Sequence, residues 1–346
     1  MIHQLQIEHF RGFYERRTVT FAVPSGNPAS GLTVLVGPNN SGKTTVVEAI
    51  RLVSQDAVPI DVEHRHDGHR VRITVTDQNG RTRTLTNPDL GAITVVEGDP
   101  AALQLQNVRF VPSRRAWTAY TGHQAQAEGQ YWSMLARHRG PADEFFVARL
   151  ASFSLAEKTR YHATLQKLIP QMADWRIDLS RGQHFVQYTT VAGAKHSSDL
   201  FGDGMASLFR IALAVHDTTT NTDGATQCIA IDEPELSLHP QAQKRLAFHL
   251  AEVAKTRQVI VTTHSPYFVN WDDLIAGARI YRLAQGKNGV SIHEQSQATV
   301  KTLEGLFKDW QKPNLLDPVA REIFFADEVV FLKDRKTSAF YESSRV

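Results

Sequence analysis

The chain has 346 residues, 42% of them hydrophobic, enough for one large or two medium domains around a sizeable core. Its net charge of +2 neither requires nor excludes nucleic acid, so DNA stays open as a partner and would need a local basic patch. A single cysteine, Cys228, rules out an intrachain disulfide or a Cys-based zinc site. No run approaches about 18 continuous apolar residues and Met1-Ile2-His3-Gln4 opens no signal peptide, so the expectation is a cytoplasmic protein with no membrane partner.

Gln4 to His9 alternates as a strand, Phe10-Arg11-Gly12-Phe13 interrupts it, and Arg17 to Val23 resumes the alternation. Leu32-Thr33-Val34-Leu35-Val36 has the apolar, β-branched pattern of a buried strand. It runs into Gly37-Pro38-Asn39-Asn40-Ser41-Gly42-Lys43-Thr44, which reads G-x-x-x-x-G-K-[ST], the phosphate-binding loop. Thr45 to Val53 follows as a helix, with Val46, Val47, Ile50 and Val53 at helical spacing. Strand, glycine loop and helix start together make an anion site. Backbone N–H groups along Gly37, Asn39, Asn40, Ser41, Gly42 and Thr45 wrap phosphates, and Lys43 adds a point charge. The Thr44 hydroxyl is placed to hold Mg²⁺.

Residues 69–97 read as an antiparallel β meander, with Val71, Ile73 and Val75 alternating and Asn79-Gly80 as a hairpin signal. Val108 to Val111 is a short strand ended by Pro112. From Gln124 to Met172 the composition turns helical, with Tyr131, Met134, Leu135, Phe145, Phe146, Leu150 and Phe153 as an apolar face. Gly140-Pro141 breaks this stretch and Pro170 ends it. Residues 173–190 return to strand and Asp203 to His216 to helix. Apolar strands at 227–231 and 258–262 then flank a helix at about 240–254. Continuous apolar strands alternating with helices imply an α/β fold with a mainly parallel core sheet.

Two further strand ends carry chemistry. Cys228-Ile229-Ala230-Ile231-Asp232-Glu233 delivers two carboxylates to a sheet edge. Asp232 suits Mg²⁺, directly or through its shell, and Glu233 suits orienting or deprotonating an attacking water. Val259-Ile260-Val261-Thr262-Thr263-His264 ends in a histidine for the γ-phosphate or the water, downstream of the acidic pair.

These elements, in this order, resemble the ABC-type ATPases. Glu233-Pro234-Glu235-Leu236-Ser237-Leu238-His239-Pro240 resembles the stretch after the Walker B strand in the overcoming-lysogenization-defect (OLD) branch, related to SMC and RecF proteins, with Ser237 to Pro240 as its D-loop region. Phe10-Arg11-Gly12-Phe13 resembles the N-F-R-x-F opening of that group. Arg11 is then either near the nucleotide or a surface arginine at a strand end. Leu200-Phe201-Gly202-Asp203-Gly204-Met205 is similar to the G-D-G signature loop of the OLD branch, and the usual ABC serine is absent. Read so, Gly202, Asp203 and Gly204 bring backbone N–H groups to a nucleotide; otherwise they form an ordinary helix-start turn.

The resemblance implies ATP and Mg²⁺ as cofactors and an ABC-type P-loop fold with a helical insertion at about 118–172. It also implies a homodimer that sandwiches two ATPs, with Glu233, His264 and Lys43 catalytic. Residues 1–326 are expected to form the ATPase domain. Asp317 to Phe331 resembles the start of the Toprim nuclease domain of OLD-family proteins, and Leu332 to Val346 departs from it, so 327–346 is expected to be a truncated Toprim-like start or tail. Codons for Leu332 to Phe340 read in another register can spell E-G-Q-E-D-V-G-L. The expected output partner is a Toprim nuclease or other effector, frameshift-linked or separate, in an anti-phage system. A DNA-repair ATPase with coiled-coil arms is disfavoured by the short, Pro-broken insertion. A non-hydrolysing scaffold for a partner protein is disfavoured by the intact Glu233.

Overall fold

The apolar runs at 32–36, 228–232 and 258–263 become the middle of one sheet. The computed structural model describes residues 1–54, 60, 62–66, 68–101, 108–113, 143–180, 183–197, 202–220, 228–295, 329–331 and 340–342. In chain order the first ten strands are β1 (Ile2–Glu8), β2 (Arg17–Thr20), β3 (Leu32–Val36), β4 (Arg72–Asp77), β5 (Thr82–Thr86), β6 (Val95–Gly98), β7 (Val108–Val111), β8 (Met172–Ser180), β9 (Gln183–Thr190) and β10 (Lys195–Ser197). Four more follow: β11 (Cys228–Asp232), β12 (Gln258–Thr263), β13 (Arg279–Gly286) and β14 (Gly289–Gln295). The helices are α1 (Lys43–Val53), α2 (Asp143–Ala151), α3 (Leu155–Leu168), α4 (Asp203–Thr220), α5 (Pro240–Val253) and α6 (Trp271–Ile275).

The core sheet has the order β14-β13-β3-β12-β11-β7. Every neighbouring pair is parallel except β13 with β14. Both faces of β3, β11 and β12 are covered. Val34, Ile229, Ile231, Val259 and Val261 enter one hydrophobic core with α3, α4 and α5. Leu35, Cys228, Ala230 and Ile260 enter the other, with α1 and the antiparallel sheet β2-β1-β4-β5-β6. Burial on both faces is why these strands read as unbroken apolar runs. Because β3, β11 and β12 run parallel, their C-terminal ends share one edge, which gathers the chemistry there.

The meander expected at 69–97 is β4, β5 and β6, joined at Asn79-Gly80 with Gly80 at φ +78. The strand expected over Arg17 to Val23 stops at Thr20. Beyond it the Phe21 N–H donates to the His3 carbonyl and the Ala22 N–H to Thr33 Oγ1. Of the helical insertion, α2 and α3 are described; Phe146 and Leu150 are buried, and α3 starts on a Ser154/Glu157 capping box. Tyr131, Met134, Leu135, the Gly140-Pro141 break and the Toprim-like stretch up to 328 lie outside the described residues. Val329–Phe331 pairs antiparallel with Phe340–Glu342.

His216 on α4 is 1% exposed. Burial and then Arg149 push its imidazole down to about 4. His249 on α5 is likewise held at about 4, by burial and then Lys167. Both are neutral when folded, while the unfolded chain takes up protons near the ordinary 6.5. Their stability contribution is therefore complete above pH 6.5 and is lost as pH falls to about 4. The expected slope is about 1.4 kcal/mol per pH unit for each histidine in that window. Urea midpoints taken across it check this, and a flat profile contradicts it.

Candidate active site

The loop after β3 turns back over the sheet edge because its glycines leave no room for side chains. A Cβ on Gly37, at φ +152, would lie 2.2 Å from the Leu283 carbonyl oxygen. One on Gly42, at φ +93, would lie 2.9 Å from Val290 Cγ2. Asn40 also takes a positive φ, +61. The loop opens on a cleft of about 390 Å³. Asn39, Asn40, Ser41, Gly42, Lys43, Thr44 and Thr45 line it from α1 and its approach. Arg11, Glu233 and His264 line it from other elements.

Lys43 is 4% exposed, and its Nζ donates to the Gly37 and Pro38 carbonyls at 2.9 and 2.8 Å. Burial lowers its pKa, opposed by Glu233, Asp232 and Glu235. The Ser41 hydroxyl is buried with no hydrogen-bond partner among the described residues. Among the described residues, a loop with an orphaned hydroxyl and an ammonium bonded to the loop's own carbonyls has donors to spare for an anion.

The Thr44 hydroxyl lies 3.1 Å from both oxygens of Asp232. Asp232 also accepts from the hydroxyls of Thr262 and Ser113. Burial raises its pKa and Glu233 adds to that, while these three hydroxyls pull it down. One hydroxyl beside one carboxylate at a phosphate loop is the oxygen donor set that suits Mg²⁺, which takes few protein ligands and completes its shell with phosphate and water. Among the described residues there is no group of three or more His, Cys, Asp or Glu that could hold a metal without such help.

Glu233 follows β11 in a left-handed conformation, φ +48, with its N–H donating to the Thr262 carbonyl at 2.9 Å. Its Oε1 lies 3.0 Å from His264 Nε2. Glu235 fixes the other end of this pair, accepting the His264 N–H at 2.6 Å; burial raises the Glu235 pKa. Sequence reasoning assigned nothing to Glu235, although it stands in the quoted Glu-Pro-Glu run.

Arg11 sits at φ +50, with its N–H on the His64 carbonyl and its own carbonyl 2.6 Å from His66 Nε2. Its guanidinium is 3.9 Å from Glu48 on α1. Gly202, Asp203 and Gly204 do not line the cleft of their own chain. They start α4 against the D-loop region: a Cβ on Gly204 would lie 2.3 Å from the Ser237 carbonyl oxygen. Gly204→Ala tests that approach with two opposed effects. Alanine gains about 1 kcal/mol in helix propensity, but the backbone clash costs about 1–3 kcal/mol. The expected result is a net loss in chemical denaturation, and a more stable variant would mean the two turns are not in contact. Gly12, Gln285 and Val290 complete the cleft wall and were not foreseen.

Comparison with known proteins gives the same architecture. Residues 153–269 match the family described as AAA ATPase domain, and residues 4–87 match the one described as AAA domain. The chain is 24% identical over 395 aligned residues to an OLD nuclease of Thermus scotoductus, covering 96% of this chain and 71% of that protein. The Smc head domain of Pyrococcus furiosus, with an extended coiled coil and bound to the C-terminal domain of ScpA, aligns with a TM-score of 0.61 at 12% identity, over 90% of this chain and 99% of that one. An Smc head bound to the C-winged helix domain of ScpA aligns at 0.58 and 14% identity, over 87% and 99%. At such identities these structures speak for the fold alone.

Proposed function

For a chain with AAA-type ATPase domains and OLD-like sequence along nearly its whole length, we propose binding and hydrolysis of Mg-ATP by two chains that gate an effector. One observation carries the reading: Thr44 against Asp232 beside Lys43, with Glu233 and His264 paired across the same cleft. The loop amides and Lys43 hold the phosphates. Thr44 and Asp232 would hold Mg²⁺, which when bound offsets phosphate charge and polarises the transferred group. Glu233 takes the proton of the attacking water, and His264 orients that carboxylate.

In this reading residues 1–326 form the ATPase domain, with the insertion at about 118–172. Gly202–Gly204 of one chain serves the nucleotide of the other, in line with its position outside its own cleft. The named nuclease relative supports a nuclease-type effector, and we extend the reading to anti-phage defence on that likeness. The test is phosphate release by the purified chain across a concentration series, with and without DNA. Turnover rising more than linearly with chain concentration is the expected result. A chain that releases no phosphate at any concentration is not the ATPase proposed.

A further inference from the structure

The core sheet gives the cleft two unlike flanks. Its strands run β13, β3, β12, β11, so the phosphate loop has His264 and Glu233 on one side and β13 on the other. A nucleotide whose terminal phosphate faces Glu233 and His264 has the β13 flank open to its base. That strand reaches past the end of β3, because Arg282 pairs with Val36 and Gln285 lies three residues further on. The chain then turns at Lys287-Asn288, and Gln285 pairs directly with Val290 of β14. Directly opposed residues on an antiparallel pair face the same way. Both side chains line the cleft, together with Gly12.

This flank is built closely. The Val290 N–H donates to the Gly12 carbonyl at 2.8 Å. Gln285 Oε1 and Val290 Cγ2 each lie 3.0 Å from where a Cβ on Gly12 would stand, so a side chain at position 12 would close the wall. Val290 itself is buried, at 1% exposure, so what this flank offers the cleft is one exposed carboxamide, a donor and an acceptor side by side. Adenine presents an amino donor next to a ring-nitrogen acceptor, and glutamine pairs with both at once.

Building on the nucleotide reading above, we propose that Gln285 is the specificity-determining residue of this cleft, pairing with the edge of an adenine base that lies beside Gly12. The test measures equilibrium binding of ATP, GTP and inorganic triphosphate to the wild-type chain and to Gln285→Ala. Wild type is expected to prefer ATP over GTP about tenfold. Gln285→Ala is expected to bring that ratio close to one while binding triphosphate as wild type does. An unchanged ATP/GTP ratio in the variant overturns the proposal, as does equal loss of triphosphate binding, which would make Gln285 a support of the loop. A wild-type chain that binds neither triphosphate nor ATP overturns the nucleotide reading itself. Gln285 is exposed, so the variant's melting curve should match wild type.

Discussion

Glu233→Gln should keep ATP bound and slow phosphate release by about 10²–10⁴-fold. The backbone fixes the aim of this side chain. Glu233 is held left-handed at φ +48, a conformation that costs a non-glycine residue energy and survives only where its surroundings enforce it. Here the Thr262 carbonyl takes its N–H, and His264 Nε2 stands 3.0 Å from Oε1. Glutamine has nearly the same shape and its carbonyl still accepts from His264. Its amide cannot accept a proton from water. Lys43, Thr44 and Asp232 keep their places in the variant, so nucleotide affinity should stay within about twofold, well under the 1.4 kcal/mol that a tenfold change represents. Single-turnover phosphate release with parallel nucleotide titration separates the two quantities. Wild-type turnover in the variant would remove Glu233 from the role of base, and lost binding would make it a ligand of the nucleotide.

The parts of this site that depend on short stretches of chain were legible in the sequence. The loop from Gly37 to Thr44 and the strand ending at Asp232 and Glu233 each carry strand, turn and functional side chain within about ten residues, so local pattern suffices. Two-sided burial wrote the core strands as apolar runs, and the parallel sheet followed. Contacts set by long-range pairing were not legible. The hairpin of β13 and β14 has its own signal in Gly286-Lys287-Asn288-Gly289. That it borders the phosphate loop follows only from the pairing of Arg282 with Val36, some 250 residues apart by the numbering. The two glycines of the 202–204 turn resemble a signature loop, yet the need for Gly204 comes from the Ser237 carbonyl. Nor does any local pattern single out Glu235, because its partner is the backbone of His264.

Asp217→Ala should cost about 3 kcal/mol of stability and lower the melting temperature by roughly 4 °C. Asp217 on α4 is fully buried, and its Oδ1 accepts from the Arg149 guanidinium of α2 at 3.0 Å. That guanidinium also reaches Ser152 Oγ at 3.1 Å and Glu157 Oε1 at 3.2 Å, and lies 4.6 Å over the Phe153 ring. Burial raises the Glu157 carboxyl, but Ser154 and Arg149 outweigh it and bring it down to about 2, so it stays charged at neutral pH. Removing Asp217 takes from a nearly buried cation its fully buried counter-charge, while the Glu157 carboxylate it also meets is itself 25% exposed. The loss therefore falls at the low end of the 3–5 kcal/mol typical of breaking a buried pair. Replacing both partners, Arg149→Met with Asp217→Leu, removes both desolvation costs and should recover most of the loss, which distinguishes a stranded charge from a simple cavity. The pair also ties α2 and the capped start of α3 to α4, whose first turn rests on Ser237. In Asp217→Ala, hydrogen exchange should accordingly rise first in α2 and the last turns of α4, while the strands β3, β11 and β12 stay protected. Uniform acceleration across those strands as well would mean that the network holds the whole domain rather than the seam between the insertion and α4.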